Sequence, residues 1–116
     1  MNEIIEIAKK SAERNFDPKY VLSVLYGTNY YGVLSWGVSK KIAHADEEGE
    51  HNALLLKVSG HHHKGWIVIT LNFLDYFDVR LVSNKGEVKD TITDIFVGDL
   101  FNVIDEKVEK IPEYRD

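Results

Sequence analysis

Three consecutive imidazoles, His61, His62 and His63, follow Gly60 in a chain of 116 residues that has five histidines and no cysteine. Neutral imidazole is a common ligand for transition metals. Neighbours in an extended segment point to opposite sides, so His61 and His63 are the candidate metal pair. Two imidazoles from one tight turn leave an ion short of ligands, and a solvated turn is the plainer reading. The other two histidines, His44 and His51, bracket Asp46, Glu47, Glu48 and Glu50. These oxygen and nitrogen donors suit a divalent cation. They lack the alternating twelve-residue spacing and central glycine of a calcium loop, and a charge run in a strand connection is usually just hydrated.

Phosphate and acyl chemistry find less support. Gly27 to Gly32 has the glycine spacing of a phosphate loop, but Val33 and Leu34 stand where lysine and a hydroxyl residue are needed. No serine sits in a nucleophile elbow. Ser59 lies two residues from His61 with no acid to orient the imidazole. Paired carboxylates in a plausible pocket, a nucleophile with its base and a complete metal set are all missing. The expected function is therefore a non-enzymatic protein-interaction or accessory domain that needs no cofactor. A small histidine-dependent or metal-dependent enzyme is the alternative.

The elements that must position these residues are legible from Ala53 to Ser83. Leu54, Leu56 and Val58 alternate with polar positions, as do Ile67, Ile69 and Leu71, and then Phe77, Val79 and Leu81. One shared apolar face pairs Val58 with Ile67, Leu56 with Ile69 and Leu54 with Leu71. His61 to Lys64 become the loop, flanked by Gly60 and Gly65. The next turn takes Leu74, Asp75 and Tyr76, with Phe73 opposite Phe77, Leu71 opposite Val79 and Ile69 opposite Leu81. An even-length turn would bury Asp78 and Arg80 instead. With this register, the second strand holds the His61 turn about 25 Å from His44 and His51, at ~3.3 Å per residue. The five histidines cannot share one site.

Around this meander, Asn2 to Glu13 reads as a helix with Ile4, Ile7, Ala8 and Ser11 on one face. Asp17 and Pro18 open a second helix as N-cap and first-turn proline, with Val21, Val24 and Leu25 buried and Gly27 as C-cap. Gly27 to Gly32 reads as a tyrosine-rich loop. Leu34 to His44 reads as a strand, since a helix would carry Gly37 internally. A polar edge strand spans Glu87 to Ile92. Asp94 caps a last amphipathic helix with Val97, Leu100, Phe101, Ile104, Val108 and Ile111 on one stripe, a Glu106 to Lys110 pair outside, and Pro112 as its stop. The fold class is α+β: two short amino-terminal helices, an antiparallel meander of four or five strands, and a carboxy-terminal helix on one sheet face.

Composition bounds the partners. At 44% hydrophobic, residues 1 to 116 suffice for one domain with one core. The formal net charge of -5 disfavours nucleic acid and anionic membranes. No apolar run approaches the ~20 residues of a membrane span, and the amino terminus does not read as a signal peptide. A cytoplasmic location is expected. On the sheet face turned from the last helix, Trp66, Val68, Thr70 and Arg80 mix apolar and hydrogen-bonding groups, which suits a protein contact. Tyr26, Tyr30, Tyr31 and Trp36 form a second aromatic concentration. The candidate binding residues are thus Trp66, Thr70, Arg80, Tyr30 and Tyr31. The expected partner is protein, either another chain or a second copy in a homodimer.

Overall fold

The computed structural model describes residues 2–109. Helices α1 (Asn2–Ser11), α2 (Pro18–Thr28) and α3 (Tyr30–Ser35) precede strands β1 (Lys40–Ala45), β2 (His51–Ser59), β3 (Lys64–Leu71), β4 (Phe77–Val82) and β5 (Val88–Ile95). A 3-10 turn, Val97–Asp99, leads into α4 (Leu100–Val108). The strands form one antiparallel meander in chain order. The α+β class and the carboxy-terminal helix over the sheet are as read from the sequence. The stop at Pro112, the stripe residue Ile111 and the Lys110 pair lie outside the described residues.

Both hairpins depart from the expected register by two residues. Leu54 pairs with Ile69, Leu56 with Ile67 and Val58 with Gly65, and Lys64 opens β3 rather than closing the loop. Leu71 pairs with Phe77, Ile69 with Val79 and Ile67 with Leu81, across a turn of five residues rather than three. Side chains alternate with period two, so each slip leaves every face assignment intact. The causes are local. Gly65 has φ +151°, and a Cβ there would fall 2.3 Å from the Val82 carbonyl oxygen, so this glycine suits a strand position where another backbone comes close. The Asn72 side-chain oxygen Oδ1 accepts from the backbone N–H groups of Leu74 (2.9 Å) and Tyr76 (3.2 Å), starting the second turn immediately after Leu71.

One sheet face carries Leu54, Leu56, Val58, Ile67, Ile69, Val79 and Leu81 into the main core, with Val21, Leu25, Val33, Trp36 and α4. The other face is also covered. Ile4 and Ala8 of α1 pack on Ala53, Leu55, Trp66, Val68 and Val82. The sheet therefore lies between two helical layers, α1 alone on one side and α2, α3 and α4 on the other. This corrects the expectation of a solvent-facing outer surface. Strands buried on both faces read as continuous apolar runs, and Ala53-Leu54-Leu55-Leu56 and Trp66-Ile67-Val68-Ile69 are such runs.

Other expectations are corrected at element ends. The tyrosine loop is mostly helix: Asn29 both closes α2 and caps α3, its side-chain oxygen accepting from Gly32 N–H at 2.8 Å, so Gly27 is not the cap. Gly37, at φ +65°, follows α3, and the strand expected from Leu34 begins only at Lys40. Helix α1 stops at Ser11, and β5 runs on to Ile95. Asp94 is not the cap of the last helix; it is the penultimate residue of β5, at φ +58°, and its carboxylate accepts from Asn72 Nδ2 at 2.8 Å. No helix among the described residues is long and apolar enough to cross a membrane.

Candidate functional site

The five proposed contact residues separate into two groups. Trp66 is only 4% exposed and Thr70 is 0% exposed, both in β3. Neither presents a contact surface, and Trp66 belongs to the α1 core. Arg80 is half-buried, opposite Val68 on one side and Thr91 on the other. Among the described residues, Thr70 Oγ1 and Arg80 Nη1 are buried without a hydrogen-bond partner. Tyr30 and Tyr31, by contrast, stand on the surface.

The tyrosine surface is built upward from the core. Beneath it, Trp36 is fully buried, stacks on Phe101 at 5.3 Å between ring centroids, and donates from Nε1 to the Asp105 carboxylate at 2.9 Å. Gly32 lets α3 approach α4: a Cβ there would fall 2.4 Å from the Phe101 ring. Val33 is buried as well, which fixes which side of this six-residue helix faces out. Tyr31, 80% exposed, and the exposed Tyr30 and Leu34 occupy that side. Tyr30 meets Tyr31 edge-on at 5.5 Å and Tyr26 at 5.6 Å, and Lys41 Nζ of β1 lies 4.9 Å from the centre of the Tyr26 ring. Three rings and one ammonium form a continuous strip. Trp36, expected among these aromatics, lies under the strip rather than in it.

A second exposed set was not anticipated. The five-residue β3–β4 turn releases Phe73 from the strand, leaving Phe73 and Leu74 each 70% exposed beside the partly exposed Tyr76. Phe96, 61% exposed, stands one residue beyond the Phe77–Ile95 pair at the same end of the sheet. Asn72 holds this end together: its Nδ2 donates to Asp78 (2.9 Å) and Asp94 (2.8 Å), while its side-chain oxygen Oδ1 receives two turn amides. Asp78 also accepts from Asp94 N–H at 3.1 Å, and Phe73 N–H donates to the Glu13 carboxylate at 3.0 Å. The signal was present in Asn72, whose side chain favours turns as strongly as glycine or proline does.

The histidines are dispersed. His61 and His62 rings meet edge-on at 4.9 Å, whereas His63 Nε2 lies 3.2 Å from the Trp66 carbonyl, to which it can only donate. That hydrogen bond takes up Nε2 and leaves only Nδ1 of His63 for a metal. His44 Nδ1 lies 3.2 Å from Asn52 Oδ1, an amide rather than an orienting acid, and lines an open hollow of about 420 Å³ with Lys9, Asp46 and Glu47. Asp46 is engaged in its own turn, accepting from Glu48 and Glu50 N–H at 2.9 Å each. Among the described residues, no three His, Asp or Glu side chains are grouped to hold a metal ion.

No protein-family model matches this chain, and no curated protein or solved structure matches it.

Proposed function

We propose that this protein is a non-enzymatic interaction module whose contact surface is the tyrosine strip on α3, with Tyr30 and Tyr31 as its anchors and Leu34 beside them. The observation that carries the reading is the combination of exposed rings with a fully buried support. Tyr31 and Tyr30 project from a helix whose opposite side is fixed by Val33, Gly32 and the Trp36–Phe101 stack. Tyrosines offer large contact area at low rotamer cost, and aromatic anchors on rigid supports dominate protein interfaces. Lys41 adds a charge at the strip's margin. The partner is protein, with a second copy of this chain included.

Site-specific photocrosslinking tests this. A photoreactive phenylalanine at position 31 is expected to capture one discrete protein, or a second copy, in the native cell, and the same probe at exposed Lys85 is not. Tyr30→Ser with Tyr31→Ser should abolish that adduct while leaving the unfolding midpoint within the ~0.5 kcal/mol typical of surface changes. Equal capture at both positions, or none at position 31, removes the strip as the contact surface.

A further inference from the structure

The end of the sheet at the β3–β4 turn combines two properties that point to one kind of ligand. Phe73, Leu74 and Phe96 expose apolar side chains, and Tyr76 adds a partly exposed ring. Around them stand four exposed carboxylates, Glu13, Asp75, Asp94 and Asp99, with Asp78 buried beneath. The cations there are Arg14, committed to Asp75 at 3.1 Å, and Arg80, two residues further along β4. Glu13, Asn72, Phe73, Leu74, Asp78, Thr93 and Asp94 line an open hollow of about 290 Å³, and Asn72 Nδ2 already donates to Asp78 and Asp94 within it.

We propose that this tip docks a cationic peptide segment of another protein, with one guanidinium or ammonium group in the hollow and apolar neighbours on Phe73, Leu74 and Phe96. Charge complementarity selects this occupant. A cation in the hollow meets the exposed carboxylates of Glu13 and Asp94, with Asp78 buried beneath them, and has the Phe73 ring beside it, so ion pairing and cation–π attraction act together. The flanking rings supply the apolar contact that fixes register. A lipid surface is the poorer match. Inserting Phe73 and Leu74 would press the same carboxylates against headgroups, and anionic lipid would repel them. This surface is separate from the tyrosine strip and stands or falls without it.

The probe is a fluorescent twelve-residue peptide alternating arginine and leucine, measured by anisotropy against the whole chain. Two controls accompany it: the same peptide with glutamate for arginine, and phosphatidylcholine vesicles. Binding of the arginine peptide, weakening as salt rises, is the expected result. Glu13→Gln with Asp94→Asn removes two charges and keeps the side-chain oxygens that accept from Phe73 N–H and Asn72 Nδ2, and asparagine tolerates the positive φ at position 94. This variant should bind at least tenfold more weakly and with a shallower salt dependence. Phe73→Ser with Leu74→Ser should weaken binding as much, and Tyr30→Ser with Tyr31→Ser should leave it unchanged. Failure of the wild type to bind, equal binding of the glutamate peptide, preferential capture by vesicles, or loss on changing the tyrosines would each overturn the proposal.

Discussion

The tyrosine strip and the acidic tip are both exposed aromatic surfaces, and they are held in place by different forces. Under the strip lies apolar packing: Trp36 on Phe101, Gly32 against the same ring, and Val33 in the core. Under the tip lies a hydrogen-bond hub, with Asn72 joining Asp78, Asp94 and two turn amides. Packing is non-directional and tolerates a change of surface side chain. A hub of directed bonds ties the surface geometry to one residue. The difference explains why a six-residue helix, too short to be stable alone, can hold one exposed aromatic surface, and why a loop can hold the other.

Removing each support should separate the two cases. Trp36→Ala leaves a cavity under the strip and removes one donor from the Asp105 carboxylate, so a loss of about 3–5 kcal/mol in urea unfolding is expected. Asn72→Ala removes two donors from carboxylates and an acceptor from two amides, and should cost roughly 2 kcal/mol, with increased amide exchange confined to residues 72–78. If Asn72→Ala proves the more damaging, the ranking of packing over hydrogen bonding in this molecule is wrong. Thr70→Val tests the sheet beneath the tip from the other direction. Its hydroxyl is buried and unpartnered, so the isosteric methyl should stabilise the fold by up to about 1 kcal/mol. A clear loss would mean that the Thr70 hydroxyl has a partner in solution.

The smallest effect concerns an ion-pair clamp between α4 and β5. Lys107 of α4 lies 3.0 Å from Asp90 of β5, and this hydrogen bond, opposed by slight burial and aided by the ammonium charge, holds the Asp90 carboxyl below its ordinary value. A carboxyl depressed in the folded state adds stability above its unfolded pKa of about 4 and loses it as pH falls through the folded value. Both side chains are well over a third exposed, so solvent screening limits the contribution to about 0.5 kcal/mol at most. Asp90→Asn should therefore differ slightly from wild type at pH 7 in low salt and converge with it in acid or high salt. A difference that persists in either condition would show that the clamp acts by packing.

Much of this arrangement was legible in the sequence. The period-two pattern of Leu54, Leu56, Ile67, Ile69, Val79 and Leu81 gave the meander and its core face, and Asp17-Pro18 gave the start of α2. What escaped was what one-face periodicity does not weigh. Leu55 and Val68 break alternation because α1 covers their face, so Trp66 and Thr70 look like surface residues only while α1 has no place to pack. The registers turned on Gly65 and Asn72, single residues with special backbone demands. Tyr30 and Tyr31, expected as contact residues, are exposed, though in a helix capped by Asn29 rather than in a loop. Phe73 and Leu74 were hidden inside an assumed strand and a shorter turn.

The histidine turn acquires a role unrelated to its imidazoles. Its backbone amides finish the last helix: His62 N–H donates to the Val108 carbonyl at 2.7 Å, and His61 N–H to the Glu109 carboxylate at 2.7 Å across 48 residues of sequence. Gly60 admits Val108 so closely that a Cβ there would sit 2.4 Å from its methyl carbon. A contact of that span closes at lower entropic cost once the intervening three strands are ordered, because the loop to be closed is then shorter. The seam between Gly60–His62 and Val108–Glu109 is thus expected to close late in folding, with the completed end of α4 reporting on assembly of the sheet rather than initiating it.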